Sequence, residues 1–246
     1  MFEPGSRPYL RLPAVALESR RRVYEVIRSY GSASAYGSHQ HVYNMGDEVR
    51  GVYAVQAGLV NICVITPEGR ICSPSPTFPG EPFSLVEAIS HVPHVTCALP
   101  VIRTTVWFLD LARFTDLLLD DHSFALNVLR LVSGRLLQYV NQTENLAVLC
   151  ATSRVVQFLL RAAAEVGREE GGNIVVEPMP THEDIAELTG ITRSSATRLL
   201  NALERKGIIV AERKQIKIVD PTRLMALSEV ERGGSLGVAP TSAPDC

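Results

Sequence analysis

The sequence predicts an α+β protein in three parts: a β jelly roll near the N-terminus, one long helix, and a winged helix-turn-helix. Three observations carry this. Short apolar runs broken by Gly, Pro, Asn and Asp fill residues 41–109. An apolar heptad spacing then persists from Leu129 to Leu146. Finally, residues 181–220 hold two amphipathic helical patterns joined at Gly190 and followed by two β-like runs. Composition agrees. With 246 residues and 46% hydrophobic content, two small cores are within reach. A formal net charge of −2 means that affinity for nucleic acid must come from a patch. The five cysteines are scattered and odd in number, which argues against a disulfide framework and for a reduced, cytoplasmic protein. No apolar run reaches the ~18 residues of a membrane span, and residues 1–13 lack the apolar stretch of a secretory signal.

Residues 1–13 contain Pro and Gly and are expected to be loose. Residues 17–30 read as a helix with Arg20, Arg21 and Arg22 on its exposed side. Strands are expected at 41–43, 52–56, 59–65, 71–73, 95–99 and 103–109. The breaks between them are Asn44 to Asp47, Ala57-Gly58, Pro67 to Gly69 and Pro79 to Pro82. A short helix follows at 111–119 and a long one at 123–149. On the long helix Leu129, Leu136 and Thr143 recur every seven residues, with Val132, Tyr139 and Leu146 three later. That seam suits pairing with a second copy; the plainer reading is a helix lying on its own β-domain. Thr152 or Ser153 is expected to cap a helix over 154–166, before a charged Gly-rich loop at 167–172 and a strand at 173–177. The implied domains are 1–120, 121–150 and 151–230, with 231–246 a disordered tail of low complexity.

The C-terminal pattern is the most specific. Thr181 and Asp184 form a capping box at a helix start, with Asp in place of the usual Glu. Ile185 and Leu188 supply an apolar face, and small Ala186 allows a close helix crossing. Gly190 sits where the turn needs positive φ. Thr192 caps the next helix with Ser195 at its third position. There Ala196, Leu199, Leu200 and Leu203 point inward, leaving Arg193, Ser194, Thr197, Arg198 and Arg205 outward. Gly207 ends that helix, and the runs 208–211 and 215–219 make a wing with Glu212, Arg213 and Lys214 at its tip. From Arg193 to Lys217 bases outnumber acids, against the acidic balance of the chain. Amphipathic helix pairs are usually packing units alone; the basic hairpin that follows at once favours double-stranded DNA as partner.

Several stretches together resemble the cyclic-AMP receptor protein/FNR superfamily of bacterial transcription regulators. They are Tyr43 to Asp47, Val52 to Val60, Pro79 to Phe83, Asn145 to Ala147, Ser153 to Val156, and above all Asp184 to Leu203, so that the match covers about residues 15–228. The resemblance implies a cyclic-nucleotide-binding-like jelly roll acting as sensor. It also implies a homodimer on a pseudo-palindromic site and contact with RNA polymerase if the protein activates. Its DNA-facing residues map to Thr181, Thr192, Arg193, Ser194, Ser195, Thr197, Arg198, Lys214 and Lys217. Arg193 and Arg198 take base- and phosphate-contacting places, and Thr181, Lys214 and Lys217 take phosphate places. Ser194 stands where many members carry a cytosine-reading Glu, so the half-site should differ. The effector pocket maps to Phe83, Ser84, Leu85, His94, Val95, Thr96, Leu136, Tyr139 and Val140, and the dimer seam to Leu129, Val132, Leu136, Tyr139, Thr143 and Leu146.

The departures from the family pattern bear on the effector. Ser84-Leu85 replace the Gly-Glu that meets the ribose, and Tyr139-Val140 replace the Thr-Ser pair that contacts adenine. No Arg or Lys lies between Arg70 and Arg103 to hold a cyclic phosphate. Cyclic AMP is therefore disfavoured. An iron–sulfur cluster is disfavoured too, since the first cysteine is Cys63. No cofactor is predicted. Haem is an alternative through His91, His94 and Cys97, although histidines in a loop are ordinarily solvated; a Cys72–Cys97 disulfide switch is another. The effector stays an unknown small molecule or redox signal, or the β-domain is a scaffold without one. From a different class, His39, His41 and Glu48 approach the metal motif of cupin enzymes, at the wrong spacing for the Glu.

Overall fold

The computed structural model describes residues 12–67, 71–146, 151–212 and 214–227, with backbone alone for 72–74 and 138–146. The expected tail at 231–246 and residues 1–11 lie outside the described residues. The chain divides into two compact units, one reaching Gln142 and the other starting at Thr143.

The first unit starts with α1 (Ala14–Tyr30) and continues through β1 (Ser32–Tyr36), β2 (Gly51–Ala57), β3 (Val60–Ile65), β4 (Ile71–Thr77) and β5 (Pro82–Phe83). It then adds α2 (Leu85–Ser90), β6 (Cys97–Pro100), β7 (Thr104–Asp110), α3 (Leu111–Asp120) and α4 (His122–Leu146). Two antiparallel sheets, in the orders β1-β7-β2-β5 and β4-β3-β6, make the jelly roll. Strand β2 shows why it is buried on five successive residues. Its Tyr53 and Val55 join Tyr43, Val60, Phe83, Ala98 and Val106 in one core. Its Val52 and Ala54 point the other way, under α1, Leu85, Phe114 of α3 and Leu131 of α4. Both faces of that strand are thus covered.

Helix α1 is tied down by more than apolar contact. Ser19 Oγ donates to Asn127 Oδ1 of α4 at 2.9 Å, both buried. Arg20 pairs with Glu81 at 3.0 Å, and Glu81 also accepts the Phe78 amide at 2.9 Å. Arg20 is therefore half-buried and engaged, not part of an exposed basic side; the next two arginines are exposed as expected. At the crossing of α1 with α4, a Cβ on Gly134 would meet the Ala16 Cβ at 2.5 Å, so glycine is what lets the helices touch.

Three elements of this unit depart from expectation. Strand β1 was not expected; its Ser and Ala residues form an exposed edge beside β7 that needs no apolar alternation. Residues 41–43 form no strand, only an isolated bridge from Tyr43 to Ala98. Helix α2 is too short to show a helical period.

The second unit holds α5 (Ala151–Val166), β8 (Arg168–Glu170), β9 (Asn173–Val176), α6 (His182–Thr189), α7 (Arg193–Arg205), β10 (Ile209–Glu212), β11 (Gln215–Ile218) and α8 (Pro221–Leu227). Its sheet has the order β10-β11-β9-β8. Thr152 and Ser153 lie within α5 rather than before it; Ser153 is fully buried. The expected loop at 167–172 contains β8, whose three exposed charged residues give no strand signal. The core gathers Val155 and Leu159 of α5, Ile185 of α6, Leu200 of α7 and Ile216 of β11.

Candidate nucleic-acid interface

The helix-turn-helix is built by local chemistry. Thr181 Oγ1 accepts the Asp184 amide at 3.2 Å, and Asp184 Oδ2 accepts the Thr181 amide at 2.8 Å, which completes the capping box. Gly190 ends α6 at φ 64°, and the Ile191 amide returns to the Ala186 carbonyl at 2.9 Å. Arg154 of α5 donates to the Gly190 carbonyl at 3.0 Å and so holds the turn from behind. Thr192 Oγ1 accepts the Ser195 amide at 3.2 Å, starting α7. The Ile208 amide bonds the Leu203 carbonyl at 3.0 Å and the Gly207 amide the Glu204 carbonyl at 2.8 Å, closing α7 with a Schellman pattern.

Helix α7 then separates into faces as the spacing predicts. Ala196, Leu200 and Leu203 are buried, and Leu199 is half-buried. Arg193, Ser194 and Arg198 are exposed, and Thr197 is half-buried. The wing strands pair in register from Ile209 with Ile218 to Glu212 with Gln215. Its tip is pinned where the Lys214 carbonyl accepts the Met179 amide at 2.7 Å. A groove of about 350 Å³ runs between the start of α6 and the wing, lined by Thr181, His182, Ile185, Lys214, Gln215 and Ile216 among others.

The electrostatics refine the expected roles. Arg193 is exposed with Glu183 at 3.7 Å, a loose pair that leaves it free to reorient. Lys214 is exposed at the tip. Lys217 is different: its ammonium sits 2.5 Å from Glu212, which also accepts from Gln215. The bonds from Lys217 and Gln215 hold the Glu212 carboxyl below the usual carboxylate range, and Glu212 raises Lys217 in turn. Its charge is thus already answered within the wing. Thr181 spends its hydroxyl on Asp184 at 2.6 Å, so what it presents outward is its place at the helix start. The Thr192 hydroxyl bonds the Ser194 and Ser195 hydroxyls, at 3.1 Å and 2.9 Å.

Two residues here escaped the sequence reading. Arg154 meets a partner 36 positions ahead of it, and no local spacing marks that contact. His182 places Nδ1 3.1 Å from the Thr197 hydroxyl. That contact exists only because α6 and α7 cross.

The residues assigned to an effector pocket scatter more. Phe83 is buried on β5 and stacks on Tyr53, ring centres 5.2 Å apart. Ser84 adopts φ 65°, a left-handed conformation that glycine favours. Leu85 belongs to the core beneath the helices. His94 is buried, 2% exposed, with its ring stacked 3.5 Å from Tyr43. It is a packed ring rather than a solvated one, which corrects the expectation for this histidine; His91 is exposed. Thr96 is half-buried, 3.5 Å from the buried Glu87 carboxyl, whereas Val95 and Leu136 are exposed. The Tyr139 and Val140 side chains lie outside the described residues. Cys97 lies against Cys63, sulfur to sulfur 3.4 Å across β3 and β6; the Cys72 backbone registers with Val64, and its side chain lies outside the described residues. His39, His41 and Glu48 form no metal-holding cluster, and no group of three or more such ligands occurs among the described residues.

The seam on α4 is partly rephased. Leu129 and Leu136 are 62% and 63% exposed, as a dimer face requires, and Leu126 and Leu137 join them. Val132 instead packs on its own domain, because the row of Phe124, Val128 and Leu131 buries that side. The side chains of Tyr139, Thr143 and Leu146 lie outside the described residues.

A jelly roll, a long helix and a winged helix-turn-helix with an exposed arginine face define a DNA-binding transcription regulator. The Crp-like helix-turn-helix domain matches residues 153–227. The CRP-like cAMP-activated global transcriptional regulator of Mycobacterium tuberculosis is 26% identical over 183 residues, 74% of this chain and 82% of its own. The nitrogen fixation regulation protein FixK of Azorhizobium caulinodans is 25% identical over 216 residues, 84% of this chain and 82% of its own. The structure of FixK2 from Bradyrhizobium japonicum shares the fold at a TM-score of 0.68 and 22% identity, covering 81% of this chain and 98% of that one. Residues 153–227 thus carry a Crp-like helix-turn-helix domain, and over most of its length the chain is similar to CRP/FNR-type transcription regulators.

Proposed function

We propose that this regulator works as a homodimer in the cytoplasm. Its two α7 helices lie in successive major grooves of a pseudo-palindromic promoter site, under a small-molecule or redox signal other than cyclic AMP. The observation that carries the dimer is the bare stripe of Leu126, Leu129, Leu136 and Leu137 on a 25-residue helix whose opposite row is buried. Arg193 and Arg198 read bases, Lys214 contacts phosphate, and the charge-matched Lys217 contributes little. RNA polymerase is a partner if the site lies where the protein activates. Against cyclic AMP stand the absence of Arg and Lys between Arg70 and Arg103, and the burial of Leu85 in the core. The Cys63–Cys97 approach favours the redox form of the signal: one hydrogen peroxide oxidises the two thiols to a disulfide and leaves as two waters. No helix among the described residues is long and apolar enough to cross a membrane.

The test is selection of bound sequences from random DNA by the purified full chain at fixed salt. A two-fold motif with half-sites about one helical turn apart is expected. Enrichment of a single half-site would sink the dimer. Tightening by added cyclic AMP would sink the assignment of the signal.

A further inference from the structure

We infer that His182 sets the hydrogen-bonding polarity of the Thr197 hydroxyl, and with it one base preference of α7. The inference rests on the reading that α7 faces bases. His182 opens α6, Thr197 lies on the second helix, and Nδ1 and Oγ1 are 3.1 Å apart, both side chains half-buried. That contact has two arrangements. With the neutral ring carrying its proton on Nε2, Nδ1 only accepts; Thr197 donates to it and turns lone pairs outward. With the ring doubly protonated, Nδ1 donates; Thr197 accepts and its own hydrogen turns outward. An outward acceptor suits the amino groups of adenine or cytosine in the major groove. An outward donor suits guanine N7 and O6 or thymine O4. Imidazoles as a class change charge between about pH 5 and 8.

The charged groups on the elements around His182 are Glu183 and Asp184 on α6, Arg193 and Arg198 on α7, and Glu212 and Lys214 across the groove. Each of the three carboxylates has a partner of its own: Arg193 for Glu183, the Thr181 amide for Asp184, Lys217 for Glu212. Thr197 is the hydrogen-bond partner of the ring nitrogen. His182 is therefore a positioning residue for the Thr197 hydroxyl.

The experiment is selection from random DNA at about pH 6 and about pH 8 at one salt concentration, with the intact wild type, Thr197→Val and His182→Gln. In the wild type one base of the half-site is expected to shift from adenine or cytosine at high pH toward guanine or thymine at low pH. The enrichment ratio should change roughly fivefold. Thr197→Val should lose preference at that base at both pH values and keep the rest of the motif. His182→Gln should show a preference there that no longer moves with pH. An unchanged wild-type motif, or a shift that survives in His182→Gln, overturns the inference. So does a His182→Gln protein that loses affinity for all sequences alike while its motif still shifts. Failure of every protein to enrich a symmetric motif would instead strike the DNA reading beneath it, and the inference would fall with that reading.

Discussion

Glu212 decides what Lys217 can do. A lysine at the base of a wing reads as a phosphate contact until a carboxylate is found 2.5 Å away. Glu212→Gln should release that ammonium toward DNA and steepen the dependence of log affinity on log salt by up to about one unit, on every sequence alike. Equal slopes for the two proteins would show that the pair opens on DNA anyway. His94 supplies a second test. Burial holds its imidazole below the ordinary histidine value, against the opposing pull of Glu87 and Asp47. The unfolded chain then takes up the proton first. Stability is whole above the ordinary value of about 6.5 and is lost as the pH falls through the window beneath it. His94→Phe keeps a ring for the stack on Tyr43 and should flatten the fall in melting temperature between about pH 7.5 and 5.5. An equal fall in both proteins would assign acid sensitivity elsewhere. At this scale the caps, the turn glycine and the two arginines were legible in the sequence, because each acts within a few residues of itself. His182, Arg154 and the buried state of His94 were not, because their partners come from other elements.

The elements repeat that division. Helix α7 and the wing announce themselves through period and turn chemistry, whereas β1 and β8 lie exposed at sheet edges and carry no apolar alternation at all. Helix α4 shows both outcomes. Its heptads leave Leu129 and Leu136 exposed, whereas Val132 packs on its own domain; only the packed row of Phe124, Val128 and Leu131 settles the phase. On the proposed pairing of two copies, Leu129→Glu should leave a monomer by sedimentation, since each leucine returned to water forfeits roughly 1.5–3 kcal/mol of burial in each copy. A dimer that survives this change would need another seam. Gly134 offers a test of sign. In an exposed helix Gly→Ala gains about 1 kcal/mol. Here the added carbon meets Ala16 at 2.5 Å, so Gly134→Ala should cost about 1–3 kcal/mol in urea unfolding. A gain would mean that α1 yields freely.

Across the molecule, the two ends were legible to different depths. The C-terminal unit builds its helix-turn-helix and wing from one continuous stretch, and its caps, turn and helix faces could be anticipated position by position. The jelly roll is held by ties between distant segments: Arg20 to Glu81, Ser19 to Asn127, Tyr53 against Phe83. Its architecture could be anticipated from strand spacing, but which side chains face inward, and so which are free to meet a signal, follows only from the packing. The uncovered leucines of α4 carry a last consequence. Where a second copy is what covers them, the number of chains in a cell becomes an input of its own. Below the concentration at which pairs form, paired protein grows as the square of the total by mass action. A doubling of synthesis then raises promoter occupancy up to about fourfold with no ligand present. Gene dosage and proteolysis would thus act on the same switch as any effector, and so would a site for this regulator in its own promoter.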